Sequence, residues 1–177
     1  CNLIISGGCE IKPEAQCSKA DLHGANLNDA DLNDASLGNS DLRGANLSGA
    51  NLVNAHLSGA DLTGADLRRA NLSGSNLTQT IGHDVDLSQA KMREAFAFGV
   101  DLSRANLSGV DLSGANLTSA DLSAADLSLT NLLYVKLTSA DLSAAELRNA
   151  DLRHANLIGA DLTDANLVNA HLSGADL

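Results

Sequence analysis

Leucine recurs at every fifth position along almost the whole chain. The series begins at Leu22 and continues without insertion to Leu177, and only Gly82, Met92 and Ala97 replace leucine in it. Two residues before each leucine there is a small residue, usually alanine, and Asp or Asn usually lies between the two. The other two positions of each pentad are mostly polar residues or glycine. This pattern predicts one structural unit for every five residues.

A period of five excludes both a simple helix and a long flat strand. Five residues advance an α-helix by about 500°, so successive leucines would drift around it by about 140°. In an extended strand five is an odd number, so alternate leucines would lie on opposite faces. The pattern is satisfied when the chain turns once per pentad, with Ala and Leu inside and the following Ser-Gly, Thr-Gly or Asn-Asp pair at a turn.

The tandem A(D/N)LxX pattern, as in Ala45-Asn46-Leu47-Ser48-Gly49, resembles the pentapeptide-repeat family over residues 15–177. The resemblance implies an all-β fold: a right-handed quadrilateral β-helix, or pentapeptide-repeat solenoid, of about eight coils with four pentads in each. We therefore expect two parts. Residues 1–19 would form an N-terminal cap with a degenerate first pentad, and residues 20–177 would form the β-helix.

All three cysteines lie in the predicted cap, at Cys1, Cys9 and Cys17. Two interpretations remain open for them. They are either reduced structural thiols, or Cys9 and Cys17 form a disulfide in an oxidising compartment. Their spacing does not favour a metal site, because no CxxC pair accompanies them.

The two ends of the repeat differ in sequence. At the N-terminus Lys12-Pro13-Glu14 is expected to begin a short capping turn, since proline suits the first position of a helix. At the other end the sequence stops in full register at Leu177. Three interpretations of this uncapped end stay open: two copies form a homodimer through it, the natural protein is longer, or a tail is missing.

Charge and composition exclude several classes of function. The chain has 22 acidic and 11 basic residues and a net charge of −11, so it lacks the basic footprint of a protein that binds nucleic acid directly. No apolar run reaches the length of about 18 residues that a membrane-spanning helix needs, so we expect no membrane insertion. A cytoplasmic location is favoured, and a periplasmic or lumenal one follows if a signal peptide was removed.

No motif for catalysis, a cofactor or a metal is present. The sequence contains no HExxH, GxSxG, P-loop or GxGxxG. The five histidines fall on outward positions far apart along the repeat, where solvated surface residues are expected: His23, His56, His83, His154 and His171. We therefore expect a protein that is not an enzyme and that needs no cofactor.

One predicted face of the rod is unusually acidic. When the sequence is wrapped at 20 residues per coil, the residue before the central position on this face is Asp in seven of eight coils, and Ile81 is the exception. Stacked carboxylates repel one another, which favours a functional acidic stripe. The alternative is that Asp and Asn are the consensus residues of the repeat at this position, where their side chains form hydrogen bonds with nearby backbone. The candidate interaction surface comprises Asp21, Asp41, Asp61, Asp101, Asp121, Asp141 and Asp161.

The coil formed by residues 80–99 departs most from the pattern. It contains all three substitutions of the central leucine and both phenylalanines of the chain. In register, Phe96 and Phe98 would point outward and form a contact patch with Leu133 and Tyr134, two coils further on. The alternative is a local bulge in which a phenylalanine ring fills the space left by Gly82 or Ala97.

The sequence thus predicts a non-catalytic structural or protein-interaction solenoid, and it does not name the protein partner. The resemblance implies a second role, because some acidic members of the family imitate duplex DNA and occupy type II topoisomerases, which confers fluoroquinolone resistance. Those members carry phenylalanine at the central position and dimerising C-terminal elements, whereas the central residue of this chain is leucine nearly throughout.

Overall fold

The protein is a right-handed, four-sided β-helix in which each coil takes 20 residues. The computed structural model describes the backbone of residues 3–5 and 9–177 and the side chains from residue 9 onward, so Cys1 lies outside the described residues. Parallel β-bridges join each residue before a central position to the residue 20 further on, from Gln16 with Ser36 to Asn156 with Asp176. Four pentads therefore make one coil, as the resemblance implied.

Three backbone hydrogen bonds per pentad hold each coil to the next. The N–H of Leu22 donates to the carbonyl of Asp41 (2.8 Å), and the N–H of Gly24 donates to the carbonyl of Arg43 (2.9 Å). In the opposite direction the N–H of Asp41 donates to the carbonyl of Ala20 (3.0 Å). Because this set repeats in successive pentads, the backbone polar groups between stacked coils are satisfied without long strands.

Every corner of the rod is a turn closed by a bond such as that from the Ala25 N–H to the Leu22 carbonyl (3.0 Å). The residue before the inward small residue has a positive φ at every corner from Glu14 to Gly174. This is the geometry of a type II turn. Only 11 of these corner residues are glycine and 22 are not, so the stack imposes the left-handed conformation on side chains that disfavour it.

The core is a column of leucines lined by small residues. The central leucines from Leu22 to Leu157 are at most 2% exposed, and the alanines two residues before them are buried through most of the stack. The four-sided path brings all four central side chains of a coil toward the axis. Nearer residue 177, Leu162, Leu167 and Leu172 are half-buried.

A β-hairpin precedes the repeat, and the sequence pattern did not predict it. Strand β1 (Leu3–Ile5) pairs antiparallel with strand β2 (Cys9–Ile11). Ile11 packs against the core, and a disulfide joins Cys9 to Cys17, with 5.1 Å between their Cα atoms. Cys17 occupies the central, inward position of the first pentad and is buried.

The expected turn at Lys12-Pro13-Glu14 is present, but it does not begin a helix. Residues 12–15 form a turn of the same kind as the corners, closed by the Ala15 N–H and the Lys12 carbonyl (3.2 Å), with a φ of 57° at Glu14. Pro13 is the second residue of this turn, where its fixed φ suits a type II turn as well as it suits a helix start. The Glu14 N–H already bonds the next coil, at the carbonyl of Asn33 (2.7 Å).

Ser75 should weaken the core. It occupies an inward position that is usually alanine, it is fully buried, and its Oγ has no hydrogen-bond partner among the described residues. At the same position of another pentad the buried Ser40 Oγ donates to the Leu37 carbonyl (2.6 Å). We expect Ser75→Ala to raise the free energy of unfolding by about 1 kcal/mol, because it removes an unsatisfied buried hydroxyl. Ser40→Ala should not raise it. Urea denaturation of the two variants checks this, and an equal loss of stability in both would contradict it.

Candidate interaction surfaces

The seven aspartates of the acidic face form one column parallel to the rod axis. Parallel β-bridges join Asp21 to Asp41 and Asp41 to Asp61. Further along the rod, bridges join Asp101 to Asp121, Asp121 to Asp141, and Asp141 to Asp161. Ile81 lies between the two groups, bridged to Asp61 on one side and to Asp101 on the other. Successive carboxylates therefore lie about one strand spacing apart, near 4.8 Å.

Each of these carboxylates also caps its own turn. An Oδ1 atom accepts the backbone N–H two residues further on, at 3.2 Å for Asp21 and 2.8 Å for Asp161. Asparagines on other faces accept the same bond, as Asn46 does from Ser48 (3.0 Å). The turn thus needs a side-chain acceptor but not a charge, which gives the consensus interpretation a physical basis.

The charge of the column is uneven along its length. The Arg43 guanidinium makes two bonds to the Asp41 carboxylate, through Nε (2.8 Å) and Nη2, and its Nε lies 3.8 Å from Asp61. Hydrogen bonding from Arg43 lowers the pKa of Asp41 to about 2. His83 Nδ1 lies 3.1 Å from Asp101 and 2.7 Å from the Ser103 hydroxyl.

The other end of the column lacks such neighbours. Asp121, Asp141 and Asp161 have no ion-pair partner within the part of the chain that the structure describes. Hydrogen bonds from Thr163 lower the pKa of Asp161, so that carboxyl is ionised at neutral pH. The negative potential of the column is therefore concentrated in the coils that follow Ser103.

Phe96 and Phe98 lie on the outside of the rod, on the face that precedes the acidic face around each coil. They are 58% and 47% exposed, respectively. The inward side chains of Leu102 and Val85 fill the space beside Gly82. A Cβ added to Gly82 would meet Leu102 Cδ2 at 3.0 Å and Val85 Cγ1 at 3.4 Å. The structure therefore has the in-register arrangement and not the bulge.

Leu133 and Tyr134 form a separate patch, two coils away and on the neighbouring face. Leu133 is half-buried, and Tyr134 lies on a corner, 61% exposed. The Tyr134 ring stacks on the His154 ring of the next coil, with centroids 5.0 Å apart and planes inclined by 11°. The four residues expected to make one contact patch thus occupy two surfaces.

Sequence reasoning missed Leu129, the neighbouring corner of the same coil. It is 67% exposed and has a φ of 59°. A large apolar residue at a position that demands a left-handed backbone gains nothing for the fold, either from conformation or from burial. The available signal was its place in the pentad, where glycine or a polar residue usually stands.

A family model for pentapeptide repeats matches eight copies in this chain. The matched residues are 15–52, 40–79, 60–96, 83–118, 98–132 and 140–177. The chain belongs to the pentapeptide-repeat family. A search of the curated proteins finds no match.

Solved structures of pentapeptide repeat proteins also resemble this chain. HetL from the cyanobacterium Nostoc sp. strain PCC 7120, described as involved in heterocyst differentiation regulation, is 35% identical over 92% of this chain and 87% of its own, with a TM-score of 0.33. A protein of the Arabidopsis thaliana thylakoid lumen is 37% identical over 59% of this chain and 66% of its own (TM-score 0.45). QnrB1, a plasmid-mediated fluoroquinolone resistance protein, is 22% identical over 92% and 86% (TM-score 0.42).

The features described above are surfaces of this pentapeptide-repeat protein. Within residues 9–177 no group of three or more His, Cys, Asp or Glu side chains is arranged to hold a metal ion. No helix in this part of the chain is long and apolar enough to cross a membrane. The rod can present three surfaces to another molecule: the apolar rings of Phe96 and Phe98, the column of aspartates, and a cleft at the corner beside Tyr134.

Replacing Arg43 should change how Asp41 titrates. The folded pKa of Asp41 lies below its ordinary value of 3.8, so the ion pair stabilises the fold above about pH 4, and this stabilisation is lost as pH falls toward about 2. We expect Arg43→Gln to raise the Asp41 pKa toward 3.8 and to make thermal stability less dependent on pH over that interval. Carboxyl titration by NMR checks the pKa. Arg148→Gln, which removes an ion pair with Glu146 on another face, is the control and should leave Asp41 unchanged.

Proposed function

We propose that this protein is a non-catalytic interaction solenoid that binds a protein partner through Phe96 and Phe98. The observation that carries the proposal is the exposure of both rings on a regular face of the rod. Together they present apolar surface that the fold itself does not use. The backbone beneath them is held by the bonds between coils, so the rings are displayed on a rigid support.

The identity of residue 96 argues that the patch was selected for contact. The bridge partners of Phe96 are Asn76 and Asn116, and each of these asparagines accepts the N–H of the threonine two residues later (3.0 and 3.2 Å). Phenylalanine has no acceptor for the corresponding N–H of Phe98. The coil gives up a stabilising bond at this position and gains exposed hydrophobic surface, which favours a role in binding.

Restoring the consensus should separate binding from folding. Phe96→Asn together with Phe98→Thr recreates the neighbouring Asn-Leu-Thr arrangement, apart from Ala97, and should raise the melting temperature slightly because the turn regains its acceptor. Capture of a partner from extracts of the native host should fall at least tenfold, since buried aromatic anchors dominate interfaces.

The matched control is Ile158→Thr. Ile158 is an exposed apolar residue on the same face as Phe98 and at the same position of the coil, three coils further on. It should retain the partner. The proposal fails if the double variant remains folded and captures the same protein as strongly as the unaltered chain does.

A second candidate function is imitation of DNA by the acidic column. What supports it is the regular spacing of the aspartates and the absence of ion-pair partners for Asp121, Asp141 and Asp161 among the described residues. A basic groove that normally holds DNA would be attracted to such a column, and the attraction would weaken as salt rises. The family resemblance makes a type II topoisomerase the partner to test.

Asp101→Asn, Asp121→Asn and Asp141→Asn in one variant delete three charges while keeping the acceptors of the turns. If the column imitates DNA, the unaltered protein should inhibit or protect DNA gyrase in a supercoiling assay, and the variant should need several-fold higher concentration. The control removes three charges from other faces through Asp31→Asn, Asp86→Asn and Asp126→Asn. Equal behaviour of the two variants, or no effect of the unaltered protein, would exclude this role.

A further inference from the structure

A cleft interrupts one corner of the rod. Along this corner the successive residues, one per coil, are Glu94, Gly114, Tyr134 and His154. Glu94, Gly114 and Tyr134 line the cleft together with Arg93, Ser113 and Leu133. We name the space between the Glu94 side chain and the Tyr134 ring, above Gly114, the Gly114 slot.

The slot has the thickness of one planar group. Glu94 and Tyr134 are two coils apart, or about 9.6 Å along the axis, and Gly114 has no side chain to occupy the interval. Tyr134 is stacked on His154 at 5.0 Å, which leaves the opposite face of its ring toward Gly114. A group placed midway would stack on that face at about the same spacing and continue the ladder of rings.

The two walls of the slot carry complementary chemistry. One wall is the exposed ring of Tyr134, and the other is the side chain of Glu94, which has no ion-pair partner among residues 9–177. Arg93 also lines the cleft, but its Nε is bonded to the Asp111 carboxylate at 2.6 Å. An unpaired carboxylate opposite an aromatic face selects a planar cation, and the guanidinium of arginine is the protein side chain of that kind.

The corner conformation supports a role for Tyr134 outside the fold. Tyr134 and His154 are the only ring-bearing side chains at the positive-φ corner positions of the described chain, and they are consecutive in one column. Tyr134 has a φ of 57° and is mostly exposed, so it neither relaxes the turn nor fills the core. Strain at an exposed aromatic residue points to function.

We propose that the Gly114 slot receives an arginine side chain of a basic partner protein, stacked on Tyr134 and paired with Glu94. The net charge of −11 gives the chain a general attraction for such a partner. The inference rests on the proposed interaction function and names a residue type that the partner presents. It concerns a surface separate from Phe96 and Phe98, so the two can fail independently.

Tyr134 supplies its own reporter, because the chain contains one tyrosine and no tryptophan. Tyrosine fluorescence is followed while acetyl-Gly-Arg-Gly-amide is added at constant ionic strength, and the lysine and citrulline analogues are added in parallel. We expect a saturable change with the arginine peptide, weaker binding of the lysine peptide, and no saturable change with the uncharged citrulline peptide. Glu94→Gln should weaken arginine binding by about threefold, the size of an exposed ion pair.

Gly114→Ala tests the slot itself. The new Cβ would meet Glu94 Cγ at 3.5 Å, an ordinary contact, and Ala124 and Ala144 already occupy corners with φ values of 54° and 57°, so the variant should fold. It should abolish saturable binding. Gly64→Ala places the same methyl group at a corner with φ +65° and nothing within 4 Å, and it should bind as the unaltered protein does.

The proposal is overturned if the folded, unaltered protein shows no saturable response to the arginine peptide. It is also overturned if citrulline binds equally well, or if Gly114→Ala binds as tightly as Gly64→Ala. The Phe96→Asn/Phe98→Thr variant should give an unchanged titration. Loss of partner capture by that variant with no peptide binding at the slot would therefore reject this inference and leave the proposed function standing.

Discussion

The hydrogen bonds between coils require every coil to contain the same number of residues. The N–H of a central residue meets a carbonyl 19 positions later, as Leu22 meets Asp41 and Leu157 meets Asp176. A residue inserted within the stacked part of a coil would turn the following leucine away from the axis and misalign the bridges, unless it is looped out at a corner. No such insertion interrupts the register from Ala20 to Leu177, so the differences among these coils lie in the side chains at fixed positions.

This constraint explains why the fold could be predicted from the sequence. The period of five, the inward leucine and the small residue before it follow from the same geometry, and none depends on distant details. In coil 80–99 the pattern is compatible with two packings. Val85 and Leu102 decide between them, because inward side chains of the same and the following coil reach the space beside Gly82 without moving a phenylalanine ring. The space that a missing side chain leaves in the core is thus filled by side chains of the same coil and the next one.

Apart from Leu129, the features that sequence reasoning missed arise where the period is absent or where contacts run along the axis. The hairpin of β1 and β2 precedes the repeat, so no period reveals it. The Gly114 slot depends on residues 20 and 40 positions apart and on a side chain that is absent. A Glu, a Gly and a Tyr at this position of the pentad are not unusual one by one. The slot can be recognised only once the stacking of Tyr134 on His154 is known.

A departure from the repeat pattern that costs stability is better evidence of a function than a departure that costs none. Aspartate and asparagine both accept the bond that the turn needs, so away from the Asp41–Arg43 ion pair the charge of the acidic column can change with little penalty to the fold, and its presence is weak evidence of selection. Phe96 gives up an acceptor that Asn76 and Asn116 both provide, and Tyr134 accepts a left-handed backbone while remaining exposed. Both changes work against folding and both create surface that another molecule can bury. On this physical ground the balance favours protein contact at the aromatic residues over imitation of DNA by the aspartates.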